Sequence, residues 1–117
     1  MRFLLDTNAA IRLLSGKLMD PLPEGLYGIS IISEIELLSF PSLHPEEEQA
    51  IHLLLEMLER LTLNRAVRDQ TILLRRGQGL KLPDAVIAAT AIAWSATLLT
   101  NDQRLQQVPG LMVQKVQ

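Results

Sequence analysis

The segment Arg2-Phe3-Leu4-Leu5 runs without hydrophobic alternation into the polar triplet Asp6-Thr7-Asn8. A strand with one wet face alternates apolar and polar residues; a strand that does not is covered on both faces, as in a parallel sheet flanked by helices. In open sheets of that kind ligands bind beyond the carboxyl ends of the strands. The opening six residues therefore set two expectations: an α/β fold, and a ligand-facing carboxylate at Asp6.

The rest of the chain supports the first expectation. Ala9 to Leu14 reads as a helix that stops near Ser15-Gly16, and the prolines and glycine of Asp20–Gly25 mark a loop. Tyr27–Ile32 reads as a second strand, and Ser33–Leu38 as a helix stopped by Pro41. Pro45 and the acids 46–48 open a helix whose Ile51, Leu54, Leu55 and Leu58 share one face. Leu61-Thr62-Leu63 offers a short third strand. Asn64 can cap a helix from Arg65 to about Arg76, ended by Gly77 and Gly79. Pro83 opens a helix from Asp84 to about Ala96 that is apolar nearly all round and therefore buried. Thr97–Thr100 forms a fourth strand, and a short helix to Gln107 and a strand near Leu111–Val116 finish the chain. This alternation predicts one domain over residues 1–117: a central, mostly parallel five-stranded sheet with helices on both faces.

Composition narrows the chemistry. The chain has 117 residues, enough for one core, and that core is aliphatic because aromatics make up only 3%. It has no cysteine, which excludes disulfides, thiolate zinc sites and thiol catalysis. A net charge of −2 excludes a protein that coats nucleic acid nonspecifically, so any contact with RNA must be local. Arg60, Arg65, Arg68, Arg75, Arg76 and Lys81 crowd one stretch and serve either as such a contact or as a solvated helix face. The opening residues meet an acid too soon for a signal peptide, and Ala85–Ala96 is too short to span a bilayer; a soluble, cytoplasmic protein is expected.

The acids then carry the argument. Asp6 follows strand one, Glu34 and Glu36 follow strand two, Asp84 opens the buried helix, and Asp102 follows strand four. Each has an ordinary structural use: Asp6 and Asp102 as helix caps, Asp84 in a first helical turn, Glu36 in a capping box with Ser33. Their joint placement at one sheet edge is what favours a site. Carboxylates gathered in one cleft repel unless a cation neutralises them, and hard oxygen donors select magnesium or manganese. Such ions serve phosphodiester hydrolysis by activating water and stabilising the departing oxygen. His44 and His52 have no partner at metal-ligand spacing, and Gly77-Gln78-Gly79 lacks the remainder of a phosphate loop.

These residues also resemble a family. Phe3-Leu4-Leu5-Asp6-Thr7-Asn8 is similar to the first motif of PIN domains, and Ile29–Leu37 to their second, whose acid stands directly before leucine and maps to Glu36. Leu82-Pro83-Asp84-Ala85 through Ala91 is the most specific match, and Leu99-Thr100-Asn101-Asp102 resembles the last motif. The motifs fall in the family's order over nearly the whole chain, whose length is that of VapC-type toxins. The resemblance implies a metal-dependent endoribonuclease of a toxin–antitoxin pair, with Asp6, Glu36, Asp84 and Asp102 holding Mg2+ or Mn2+. It also implies RNA as substrate, a VapB-like antitoxin as partner and a homodimer. Thr7, Asn8, Ser30 and Thr100 are placed to orient waters or carboxylates behind the acids, and Arg65, Arg68, Arg75 and Arg76 to engage the RNA backbone. Ser39-Phe40-Pro41 departs from the glycine common after the second motif, a change expected to touch the helix end and not the acids.

Two other readings compete. A phosphotransfer enzyme of the haloacid-dehalogenase type also begins with a strand ending in aspartate, but its second aspartate falls at Asn8 and no lysine follows a later strand. A PIN-like fold kept as a non-catalytic interaction module is the other.

Overall fold

The computed structural model describes residues 1–116. Five strands, β1 (Arg2–Leu5), β2 (Leu26–Ser30), β3 (Glu59–Leu61), β4 (Thr97–Leu99) and β5 (Val113–Gln114), form one sheet in the order β3-β2-β1-β4-β5. Every pairing is parallel. Six helices join them: α1 (Thr7–Leu14), α2 (Ile31–Leu38), α3 (Pro45–Met57), α4 (Arg65–Gln78), α5 (Leu82–Ala93) and α6 (Gln103–Gln106).

The central strand is covered on both sides, as its lack of alternation requires. Leu4 joins Val86, Ala89, Leu98 and Leu74 on the α4–α5 face, while Phe3 and Leu5 join Ala9, Ile29, Leu55 and Leu99 on the other. Adjacent strand residues point to opposite faces, so one short run feeds two cores. The chain leaves β1 towards β2 and β3 and returns to β4 on the other side of β1. The order thus reverses at the β1–β4 boundary, where such sheets open a crevice.

Several boundaries differ from the sequence reading. β2 stops at Ser30 and α2 starts at Ile31, because the Ser30 hydroxyl oxygen accepts the Ser33 N–H at 3.2 Å and caps the helix. That cap overrides the strand preference of Ile31 and Ile32, and it removes Ser33 as N-cap and Glu36 from a capping box. α1 begins at Thr7, two residues earlier than read, because Asp6 is its cap. β3 lies at Glu59–Leu61 and not at 61–63; a slip of two residues keeps the same alternate side chains on the same face. Gly77 lies within α4, and Gly79 ends that helix at φ +63°, a left-handed position that favours glycine. α5 begins at Leu82, before Asp84, and ends at Ala93.

Candidate active site

Four of the expected acids line one open cleft of about 740 Å³ at the carboxyl edge of the sheet. Asp6, Glu36, Asp84 and Asp102 come from four different elements and share its walls with Thr7, Asn8, Ser39, Phe40 and Asn101. Glu34 is absent from that lining. Two residues apart on a helix, Glu34 and Glu36 point about 200° away from each other. Glu34 turns to β3, where its carboxylate lies 3.8 Å from Arg60.

Each acid is fixed by local structure. Asp6 is buried at the end of β1, and its Oδ1 accepts the Ala9 N–H at 2.7 Å, capping α1. Burial pushes its carboxyl above the ordinary aspartate value; the Thr100 hydroxyl and the Ala9 amide pull it down, and the charges of Asp102 and Asp84 push it up. Asp84 stands in the first turn of α5, where a negative charge suits the helix dipole. Asp102 caps α6 by accepting the Arg104 N–H at 2.9 Å. Asp6 and Asp102 thus combine a helix cap with a place in the cleft wall, two uses the sequence presented as rivals.

Among the residues expected to steady the acids, Thr7 and Thr100 touch them. The Thr7 hydroxyl donates to Glu36 Oε1 at 2.5 Å and lies 2.9 Å from Ser33 Oγ. Thr100 lies beside the Asp6 carboxyl, which its hydroxyl helps to hold down, and accepts the Asp102 N–H at 3.0 Å. Asn8 is exposed on the cleft wall. Ser30 serves α2: it is fully buried, caps the helix and meets Ser33 rather than a carboxylate. Arg65, Arg68, Arg75 and Arg76 lie exposed on α4 and line no part of the cleft. Arg68 is paired with Asp69 at 2.8 Å, and Arg75 reaches the Leu80 carbonyl at 3.5 Å.

Three features were not anticipated. Ser39 and Phe40 form part of the cleft wall, so the departure after the second motif reaches the site and not only the helix end. Asn101 ties down the chain that follows β5, donating to the Val116 carbonyl at 2.8 Å and accepting the Val116 N–H at 2.9 Å. Arg104 reaches across two of the acids: its Nη2 lies 3.0 Å from Asp102 Oδ2 and 3.5 Å from Asp84 Oδ2, and its Nε lies 3.3 Å from Asp102 Oδ1. This guanidinium holds the Asp102 carboxyl below the ordinary aspartate value. Nothing in the sequence separates Arg104 from a solvated arginine.

The donor set fits a hard divalent cation. It is built of carboxylates, it disfavours the charge on buried Asp6, and it already draws one cation across Asp84 and Asp102. With the side chains as they stand, no group of three acidic or histidine residues among those described is drawn close enough to hold an ion.

Residues 3–111 match the model of the PIN domain. The chain belongs to the PIN-domain family. Its fold is shared with solved structures of the same size. A chain of VapBC-1 from nontypeable Haemophilus influenzae is 27% identical, with a TM-score of 0.77 and 98% of each chain covered. A chain of VapBC2 from Rickettsia felis, bound to a promoter DNA fragment, is 21% identical at a TM-score of 0.83, again over 98% of each chain. A chain of DNA-bound VapBC from Salmonella typhimurium is 23% identical at 0.83, over 98% of each. No curated protein matches. Among the described residues of this PIN domain, no helix is long and apolar enough to cross a membrane.

Proposed function

We propose that this PIN domain is a magnesium- or manganese-dependent endoribonuclease, the toxin of a VapBC-type pair acting in the cytoplasm. The observation that carries the reading is the convergence of Asp6, Glu36, Asp84 and Asp102 on one cleft at the reversal point of the sheet. The likeness to chains of VapBC structures supports the toxin role and a VapB-like antitoxin as partner.

In this reading the four carboxylates hold the ion or ions directly or through water. A divalent ion supplies charge neutralisation and Lewis acidity at a phosphodiester. Thr100 and the Ala9 amide keep the Asp6 carboxylate in one orientation, and Thr7 does the same for Glu36. Asn8 and Ser39, on the cleft walls, offer polar groups to ribose or water, and Phe40 an apolar face to a base. The arginines of α4 lie outside the cleft and would meet RNA flanking the cut.

The test is incubation of the protein with RNA in magnesium or manganese, with and without excess chelator, beside Asp84→Asn. Cleavage by the wild type that chelator and the substitution each abolish is expected. Undiminished cleavage in chelator overturns the metal reading, and no cleavage of any RNA offered returns the fold to a non-catalytic module.

A further inference from the structure

We propose that Arg104 is a tethered cation that competes with the divalent ion for Asp84 and Asp102, so that loading the site requires this side chain to leave. The inference rests on the metal-site reading above but concerns a residue that reading does not use.

The geometry is that of a fork. Nε and Nη2 of Arg104 face the two oxygens of Asp102 at 3.3 and 3.0 Å, and the same Nη2 extends to Asp84 at 3.5 Å. A planar guanidinium matches a carboxylate in this two-pronged way, which a lysine ammonium cannot reproduce. One positive group thus stands between two acids whose charges also bear on buried Asp6. A guanidinium in that position neutralises the acids in the absence of metal and denies their oxygens to an incoming ion.

The contact is built to yield. The Arg104 side chain is 65% exposed, against 27% and 29% for Asp84 and Asp102. Exposed ion pairs are weak, so a doubly charged ion displaces the arginine rather than being excluded by it.

Manganese binding, followed by the loss of the free-ion spin-resonance signal, tests the idea without any dependence on activity. The proteins compared are wild type, Arg104→Gln and Arg104→Lys. Arg104→Gln is expected to bind manganese roughly two- to fivefold more tightly than wild type, the range set by one modest exposed contact. Arg104→Lys is expected to bind more tightly than wild type also, because it keeps the charge but loses the fork. Equal affinity of all three overturns the proposal and leaves the metal site standing. Tighter binding in Arg104→Gln alone also overturns it, since that result reflects net charge and not competition for the acids. Failure of folded wild type and both variants to bind manganese sinks the metal-site reading on which the proposal rests.

Discussion

Asp6 performs two tasks with one carboxylate. It caps α1 through the Ala9 amide and it contributes charge to the cleft. The second task has a cost, visible in the upward displacement of its protonation equilibrium by burial. The folded value lies above the unfolded value of about 3.9, so between the two the native chain binds more protons than the unfolded chain. Stability from this group is fully present below the unfolded value and is lost as pH rises through the folded one. Asparagine carries no charge and still caps. In chelator, Asp6→Asn is therefore expected to melt at a higher temperature than wild type at pH 7, with the gap closing as pH falls towards 4. A variant that melts lower at both pH values contradicts this account of Asp6. The second glutamate is a separate question at the same scale. Glu36→Gln should lower metal-dependent RNA cleavage at least tenfold, while Glu34→Gln, which only loosens a long, partly buried pair with Arg60, should be nearly silent. Reversed results would move the site to Glu34. The motif match pointed to Glu36, whereas the apparent capping box with Ser33 pointed away from it. The box does not form, because Ser30 took the cap.

At the scale of elements, the α/β order was legible because hydrophobic patterning survives tertiary packing, whereas boundaries depended on single hydroxyls. The sequence reading places the cap of α2 at Ser33; the end of β2, paired in register with β1, puts it at Ser30. The thin edge strands were the least legible, since a three-residue strand such as β3 has little pattern to read. Close packing of β2 against α5 was equally hidden. A methyl group added at Gly28 would stand 2.7 Å from the Trp94 ring and 2.8 Å from Leu61 Cδ2. Gly28→Ala is expected to destabilise the fold by about 1–3 kcal/mol through overpacking, measurable as a lower denaturant midpoint. Unchanged stability would mean that Trp94 moves freely, and that this end of α5 is not pinned to the sheet.

The whole molecule was readable in outline: one domain, a parallel sheet covered on both faces, and acids at one edge. The strand order, the reversal point beside β1 and the arm of Arg104 were not, because they are set by contacts between segments far apart in the chain. The apolar face of α3 shows the same limit. Ile51 and Leu55 enter the core and Leu54 and Leu58 pack against it, leaving Leu53 at 55% and Met57 at 81% exposed. Residues four apart share a helix face, so these two form the remaining apolar surface of α3. Sedimentation is expected to show a homodimer at micromolar concentration that Leu53→Asp with Met57→Asp converts to monomer. A wild-type monomer contradicts the dimer, and a dimer indifferent to the double change places its interface elsewhere. Four carboxylates from four elements are proposed to make one divalent-metal site, and anomalous scattering from crystals grown with manganese tests this. Manganese is expected within coordination distance of Asp6, Asp84 and Asp102, with Glu36 bound directly or through water and Arg104 withdrawn. Manganese absent from this cleft, in crystals that diffract well enough to place an ion, would contradict it.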